Sequence, residues 1–340
     1  MPLGKKIGPL FSPAHTTAQK FNLLMARFHW RFKHTRLLSY PIKLTIDPCN
    51  FCNLSCRLCP VGTGSKLREQ SKMSFETFKK IIDECGKYLY WIDLFDWGEP
   101  LLNKDIFKMI RYARKFRAMI TVSSNLNVLD DQCAENLIRS GLDKIVVSLD
   151  GTSQETVEKY QKGSDYTRVI RNMKKLISLR GDAKHPCIQW NFLVHSYNEH
   201  EVQKAGSMAK ELGVDYLFTG PLRCSMGEEV LLDTRAQFEN VKDWIPSKGS
   251  YSLYNIEKKE KNRIKKECNI PWFEAVIHPD GSVSPCCAVW PQRYDYGHMK
   301  NSSFGNVWNG RLYKEARKSI FNDTGSEAIC ALCKKNRAFI

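Results

Sequence analysis

The chain has 340 residues, 42% of them hydrophobic, and its 52 Lys and Arg against 36 Asp and Glu give a formal net charge of +16. That length suffices for one large domain plus a small one. No apolar run reaches the roughly eighteen residues a membrane span needs, and the N-terminal MPLGKKIGPLFSPAH lacks the apolar stretch of a signal peptide.

A chain that is not exported stays in a reducing, cytoplasmic setting, where its thirteen cysteines point to metal binding and not to disulfides. The positive charge reads most simply as a basic solvated surface. Acidic redox partners and phosphorylated substrates are the sharper readings.

Residues 1–40 form a basic, aromatic segment. Phe21, Leu24, Met25, Phe28 and Phe32 recur at helical spacing, with Lys20, Arg27, Arg31 and Lys33 on the other side. The expectation is an amphipathic helix packed by that apolar stripe on the main domain. Docking on a membrane surface or a partner is the alternative.

From residue 41 to 222, extended runs alternate with helical ones. The runs are IKLTID (42–47), YWIDLFDWGEP (90–100), MITVSSN (119–125), KIVVSLDG (144–151), CIQWNFLVH (187–195) and YLFTGP (216–221). Helices are predicted after Ser74, over 104–116, near 130–140, over about 153–179 and up to Gly213. Alternation of this kind predicts βαβ units on a parallel sheet. Six strands are too few to close an eight-unit barrel, so the fold class is α/β, a partial (β/α)6 barrel or an open sheet.

Residues 223–267 contain the charge run KKEKNRIKKE and read as a solvated linker. In 268–340 the cysteines return as Cys268, Cys286, Cys287, Cys330 and Cys333, around a hairpin turn at Asp280-Gly281. This segment reads as a small domain held by metal in place of a large apolar core.

In parallel βα folds the chemistry gathers at the C-terminal strand ends. There the chain places Cys52, Cys56 and Cys59, then Trp97-Gly98-Glu99-Pro100, then Ser123, Ser124 and Asn125, then Ser148 and Asp150, and on the fifth strand Asn191. Three thiolates spaced C-x3-C-x2-C can hold three irons of a cubane and leave the fourth open; zinc is the competing ligand. Cys49 precedes them and reads as a packed thiol.

The triad after the first strand, followed in order by GEP and SLDG, resembles the radical S-adenosylmethionine (radical SAM) enzymes over residues 42–222. The resemblance implies a [4Fe–4S] cluster on Cys52, Cys56 and Cys59. Its open iron would chelate S-adenosylmethionine, which is cleaved to a 5′-deoxyadenosyl radical that abstracts a substrate hydrogen. It implies that Gly98, Glu99 and Pro100 hold the methionine amino group, with Trp97 replacing the motif's first glycine. Ser148 would contact the ribose or carboxylate, and Ser124, Asn125, Asp150 and Asn191 are weaker carry-overs. Leu58 stands where the family has an aromatic residue beside the adenine.

C-x12-G-x4-C from Cys268 to Cys286, then C-x2-C at Cys330 and Cys333, resembles the family's SPASM or twitch domain in a shortened form with one auxiliary [4Fe–4S] cluster. Zinc remains the alternative ligand there. Cys287 is left over, either a packed thiol or, as in the family's epimerases, a hydrogen-atom donor. Cys187 and Cys224 are further candidates for that role, while Cys85 and Cys133 read as core.

The implied activity is hydrogen abstraction from a carbohydrate, aminocyclitol or nucleotide sugar, giving oxidation or epimerisation. The alternative is maturation of a ribosomally made peptide. A flavodoxin or ferredoxin is the implied electron source. A cysteine-rich nucleic-acid-binding protein is a third reading, against which the strand-end carboxylate and hydroxyls argue.

Overall fold

The structure is a computed structural model describing residues 12, 14–222, 234–255, 257, 260–261, 267–322 and 325–335. Six strands run parallel in sequence order: β1 (Lys43–Ile46), β2 (Trp91–Asp93), β3 (Met119–Ser124), β4 (Lys144–Ser148), β5 (Cys187–Val194) and β6 (Tyr216–Pro221). A two-stranded ribbon, β7 (Tyr254–Asn255) with β8 (Glu260–Lys261), stands apart. The sheet stays open, as expected from six units.

The helices that cross between strands start where the side chains dictate. Ser74 caps α2 (Phe75–Cys85), Asp130 caps α4 (Asp131–Arg139), Ser153 caps α5 (Gln154–Tyr160) and Asp165 caps α6 (Tyr166–Arg180), each accepting a bond from the amide three residues on. The single helix expected over 153–179 is thus two. The break carries Gly163 at φ +89° and a fresh cap at Asp165.

Along β5 burial alternates strictly. Its apolar face, with Ile188, Trp190 and Phe192, joins Leu44, Ile92, Ile120, Val122, Ile145 and Val147 in the core beneath the helices. Each such side chain contributes about 1.5–3 kcal/mol. The opposite face, bearing Lys43, Asp93, Ser123, Ser148 and Asn191, is half-exposed and carries the site.

Two expectations are corrected. The C-terminal segment is not a separate unit lacking a core. Its strand β9 (Glu274–Ile277) pairs parallel with β1, and β10 (Ser282–Ser284) and β11 (Gly297–His298) extend the same sheet antiparallel. Trp272, Ile277, Val283, Trp308 and Ile320 share the main core. The expected hairpin at Asp280-Gly281 is present, with Gly281 at φ +91°. Most of the 223–267 linker lies outside the described residues.

The N-terminal helix α1 (Thr17–Arg31) packs by the wrong face for its apolar stripe. Gln19, Asn22, Leu23, Ala26 and His29 are buried, whereas Phe21 is 64%, Leu24 52%, Phe28 47% and Phe32 59% exposed. The reason is amide chemistry. Gln19 Nε2 donates to the Leu89 carbonyl at 2.6 Å, and Asn22 both donates to the Tyr40 carbonyl and accepts from its amide. Polar residues that satisfy loop backbone belong inside.

Candidate functional site

The loop after β1 carries the three expected thiols. Asn103 clips its two ends, donating from Nδ2 to the carbonyls of Pro48 at 2.8 Å and Met73 at 3.0 Å. Arg57 N donates to the Tyr160 carbonyl and Ser55 N to that of Lys162, so the α5 end holds the loop's middle. Cys59 and Cys52 both oppose ionisation of Cys56, and Cys59 opposes that of Cys52. Burial is the larger cause, pushing the Cys52 thiol up to about 12. Cys49 stands apart: fully buried, its Sγ donates to the Glu99 carbonyl at 3.0 Å.

The GEP loop presses on this one. The Glu99 amide donates to the Phe51 carbonyl at 2.9 Å. A β-carbon on Gly98 would lie 1.8 Å from the Cys49 carbonyl oxygen, so only glycine fits. Glu99 is 2% exposed, and its carboxylate accepts from Ser124 Oγ at 2.8 Å, the Asn125 amide at 2.8 Å and the Leu101 amide at 3.1 Å. Burial still raises its pKa to about 7. The carboxylate assigned to the cofactor amine is thus held first by its own chain, with Pro100 starting the short turn behind it.

The other strand-end residues converge on the same loop. Asn125 Nδ2 reaches Cys52 Sγ at 3.6 Å and Asn53 Oδ1 at 3.0 Å. Ser148 Oγ lies 3.3 Å from Ser123 Oγ, and Asn191 stands beside Ser148 in register. Asp150 is near enough to Cys56 to oppose its ionisation. It is locked into the sheet, accepting from the Leu193 amide at 2.7 Å, and burial lifts its pKa to about 7.

Leu58 and Cys59 line a cavity of about 450 Å³ with Phe95, Asp96, Trp97, Tyr160, Phe218 and Cys287. The Trp97 ring that replaces a motif glycine therefore shapes this cavity; it also meets Trp290 edge-on at 6.3 Å. Cys287 sits on its wall, whereas Cys187 begins β5 at the end away from the site. Cys85 is core, Cys133 is half-buried against it, and Cys224 lies outside the described residues. Sequence reasoning missed Phe95, Tyr160 and Phe218, which carry no motif and converge only through the fold.

Cys268, Cys286, Cys330 and Cys333 line one apolar cavity, and the charge of each of the other three opposes ionisation of Cys286. Arg317, fully buried beside Cys330, donates to the carbonyls of Pro271 and Thr35 and has no carboxylate partner among the described residues. A cluster on the four thiolates would supply the counter-charge.

A model of the radical SAM superfamily matches residues 46–209, and one of an iron–sulfur cluster-binding domain, SPASM, matches 268–335. The chain belongs to the radical SAM superfamily. As a radical SAM enzyme it binds a [4Fe–4S] cluster and S-adenosylmethionine, and its SPASM domain binds auxiliary iron–sulfur.

The radical SAM chain is 23% identical to the mycofactocin maturase MftC of Mycolicibacterium smegmatis over 311 residues, 88% of this chain and 76% of that one. It is 24% identical to a GTP 3′,8-cyclase of Clostridium botulinum over 274 residues, 75% of this chain and 82% of that one. Its fold matches Streptococcus suis SuiB bound to S-adenosylmethionine, with TM-score 0.64, 18% identity, and coverage of 92% of this chain and 76% of that one. No helix among the described residues is long and apolar enough to cross a membrane.

Proposed function

We propose that this radical SAM enzyme abstracts a hydrogen atom from a carbohydrate, aminocyclitol or nucleotide sugar and epimerises the carbon it attacks. The observation that carries the reading is that Cys287 lines the same cavity as Leu58 and Cys59. Bound cluster and S-adenosylmethionine supply the 5′-deoxyadenosyl radical. Cys52, Cys56 and Cys59 hold the cluster; Asn125 approaches Cys52 and Asp150 approaches Cys56, with Ser124, Ser148 and Asn191 on the neighbouring strands for the cofactor.

Phe95, Trp97, Tyr160 and Phe218 offer apolar ring surface to the C–H faces of a sugar ring, and Asp96 sets a carboxyl group on the lining. Cys287 holds its hydrogen on sulfur at the cavity wall and returns it to the substrate carbon. The sulfur radical left behind then takes one electron and one proton, the electron from an external donor of the flavodoxin or ferredoxin type. In the oxidative variant Cys287 stays idle and the substrate gives up the second electron.

The test is turnover of the anaerobically reconstituted protein with dithionite and S-adenosylmethionine in D2O, over a panel of nucleotide sugars and aminocyclitols. The expected outcome is 5′-deoxyadenosine with one solvent deuterium in the product. Cys287→Ala should still form 5′-deoxyadenosine but lose the deuterium. Similarity to the maturase MftC, and to SuiB as solved with the precursor peptide SuiA, favours a second reading, peptide maturation. Turnover of a peptide, with the whole sugar panel inert, would establish it in place of the first.

A further inference from the structure

Outside the cysteine sites, Asp47, Asp96 and His278 each bring one ligand atom within 4.8 Å of the other two. They come from three neighbouring strands: Asp47 follows β1, Asp96 lies just past β2, and His278 follows β9. Asp47 and His278 are fully buried. Both Asp47 oxygens, Asp96 Oδ2 and His278 Nδ1 are enclosed without a hydrogen-bond partner. The Cys49 amide approaches Asp47 without reaching bonding geometry.

The imidazole's tautomer follows from its neighbours. Ser284 Oγ donates its one hydrogen to Asp295 Oδ1 at 2.5 Å, because that carboxylate only accepts. The same hydroxyl therefore accepts from His278 Nε2 at 2.8 Å. With the hydrogen on Nε2, a neutral ring leaves its lone pair on Nδ1, the nitrogen enclosed without a partner. Burial and the nearby Arg68 guanidinium favour that neutral ring.

Lone pairs enclosed together in a protein interior call for a cation or a shared proton between them. Arg68 is close, but its nitrogens are engaged by Asp295, Ser282 Oγ and the Trp290 carbonyl. We infer that Asp47, Asp96 and His278 bind one divalent transition-metal ion. Two carboxylates and one imidazole suit Mn²⁺, Fe²⁺ or Zn²⁺ better than Ca²⁺ or Mg²⁺, which prefer all-oxygen shells. The hydrogen-bonded chain His278–Ser284–Asp295 is the kind of support that fixes a ligating histidine. The ion would join the strand of the SPASM segment to the first two strands. Since Asp96 also lines the cavity, the ion would lie beside that wall.

The test uses fully reconstituted protein, treated with EDTA, desalted, and titrated anaerobically with MnCl2 while the EPR signal of free Mn²⁺ is followed. The expected outcome is about one bound Mn²⁺ per chain, displaced by Zn²⁺ and lost in Asp47→Asn and His278→Gln. Cluster iron and S-adenosylmethionine binding report whether each variant is folded. Wild-type protein that leaves all Mn²⁺ and Zn²⁺ free overturns the inference, whatever the variants do. Equal binding by a folded Asp47→Asn also overturns it, and the carboxylates then share a proton.

The outward face of α1 stands on a separate observation. Phe21, Leu24, Phe28 and Phe32 recur at helical spacing as one exposed strip, at 64%, 52%, 47% and 59% exposure. Lys20, Arg27 and Arg31 follow one edge of the strip at helical spacing, and the chain's formal net charge is +16. The geometry points to an anionic bilayer as the occupant, with the rings in the acyl boundary and the cations at the headgroups. Flotation of the reconstituted protein should show binding to vesicles containing phosphatidylglycerol, weakening with salt and absent on pure phosphatidylcholine. The triple substitution Phe21→Ser, Phe28→Ser, Phe32→Ser should abolish it. No flotation with anionic vesicles, or a dimer in solution that the triple variant dissolves, overturns the assignment.

Discussion

The α-carbon of Gly98 rests against the carbonyl of Cys49, so a methyl group there would lie 1.8 Å from the oxygen and 2.9 Å from that of Phe51. Both obstacles are backbone, which cannot rotate away. Gly98→Ala should therefore push the GEP loop off the cysteine loop. The expected result is loss of iron at the first site with the auxiliary site kept, a fall from about eight to about four irons per chain after reconstitution. Trp97→Gly, which only opens the cavity, should keep both.

Cys49 and Cys56 share a loop and have different fates. Cys49 spends its thiol on the Glu99 carbonyl in a fully buried position. Cys49→Ser should keep the cluster, since a hydroxyl donates to the same carbonyl. Cys56→Ser should lose it. Iron analysis and the visible absorption of the reconstituted proteins distinguish the two.

Arg317 is the positive wall of the auxiliary site. Burial pulls its pKa down to about 9, and its ring neighbours are Trp308 at 4.5 Å and Tyr313 at 5.2 Å. Arg317→Met keeps the length and removes the charge and the bonds to Pro271 and Thr35. The apo-protein should fold, as an uncompensated buried charge has gone, while the auxiliary cluster binds more weakly. Loss of about four irons with S-adenosylmethionine binding intact is the expected signature.

His195 gives a pH dependence through a buried imidazole that ligates no cluster. It is fully buried among Tyr160, Tyr197 and Trp244, and burial lowers its pKa to about 4. The folded pKa is depressed below the unfolded value of 6.5, so the stability it confers is present above pH 6.5 and is lost as pH falls toward 4. Between pH 6.5 and 5 the loss is about 2 kcal/mol. His195→Phe keeps the ring contacts and should remove that slope from anaerobic denaturation curves.

Much of this was legible in the amino-acid order because it is local. Cysteine spacing, the GEP and SLDG strings and the alternation along β5 each repeat a constraint that neighbouring residues express together. The errors arose where one side chain answers to distant backbone. The apolar stripe of α1 read as its packing face, yet the amides of Gln19 and Asn22 serve Leu89 and Tyr40, and this turned α1 over. The C-terminal segment read as a satellite because nothing local announces that Glu274–Ile277 pairs with Lys43–Ile46. His278 was visible as part of a hairpin turn. Its approach to Asp47 and Asp96 depends on that same distant pairing.

The pairing of β1 with β9 also sets an order of events for the growing chain. β1 has one neighbour within reach early, β2, while its other edge waits for a strand made some two hundred residues later. Until then that edge presents unpaired amides and carbonyls, a template for pairing with other chains. Long-range parallel pairing of this kind is slow to form. Expression conditions that slow synthesis or raise nascent-chain concentration should therefore favour aggregation, and a chaperone that covers the edge of β1 should raise the soluble yield more than one that only supplies iron.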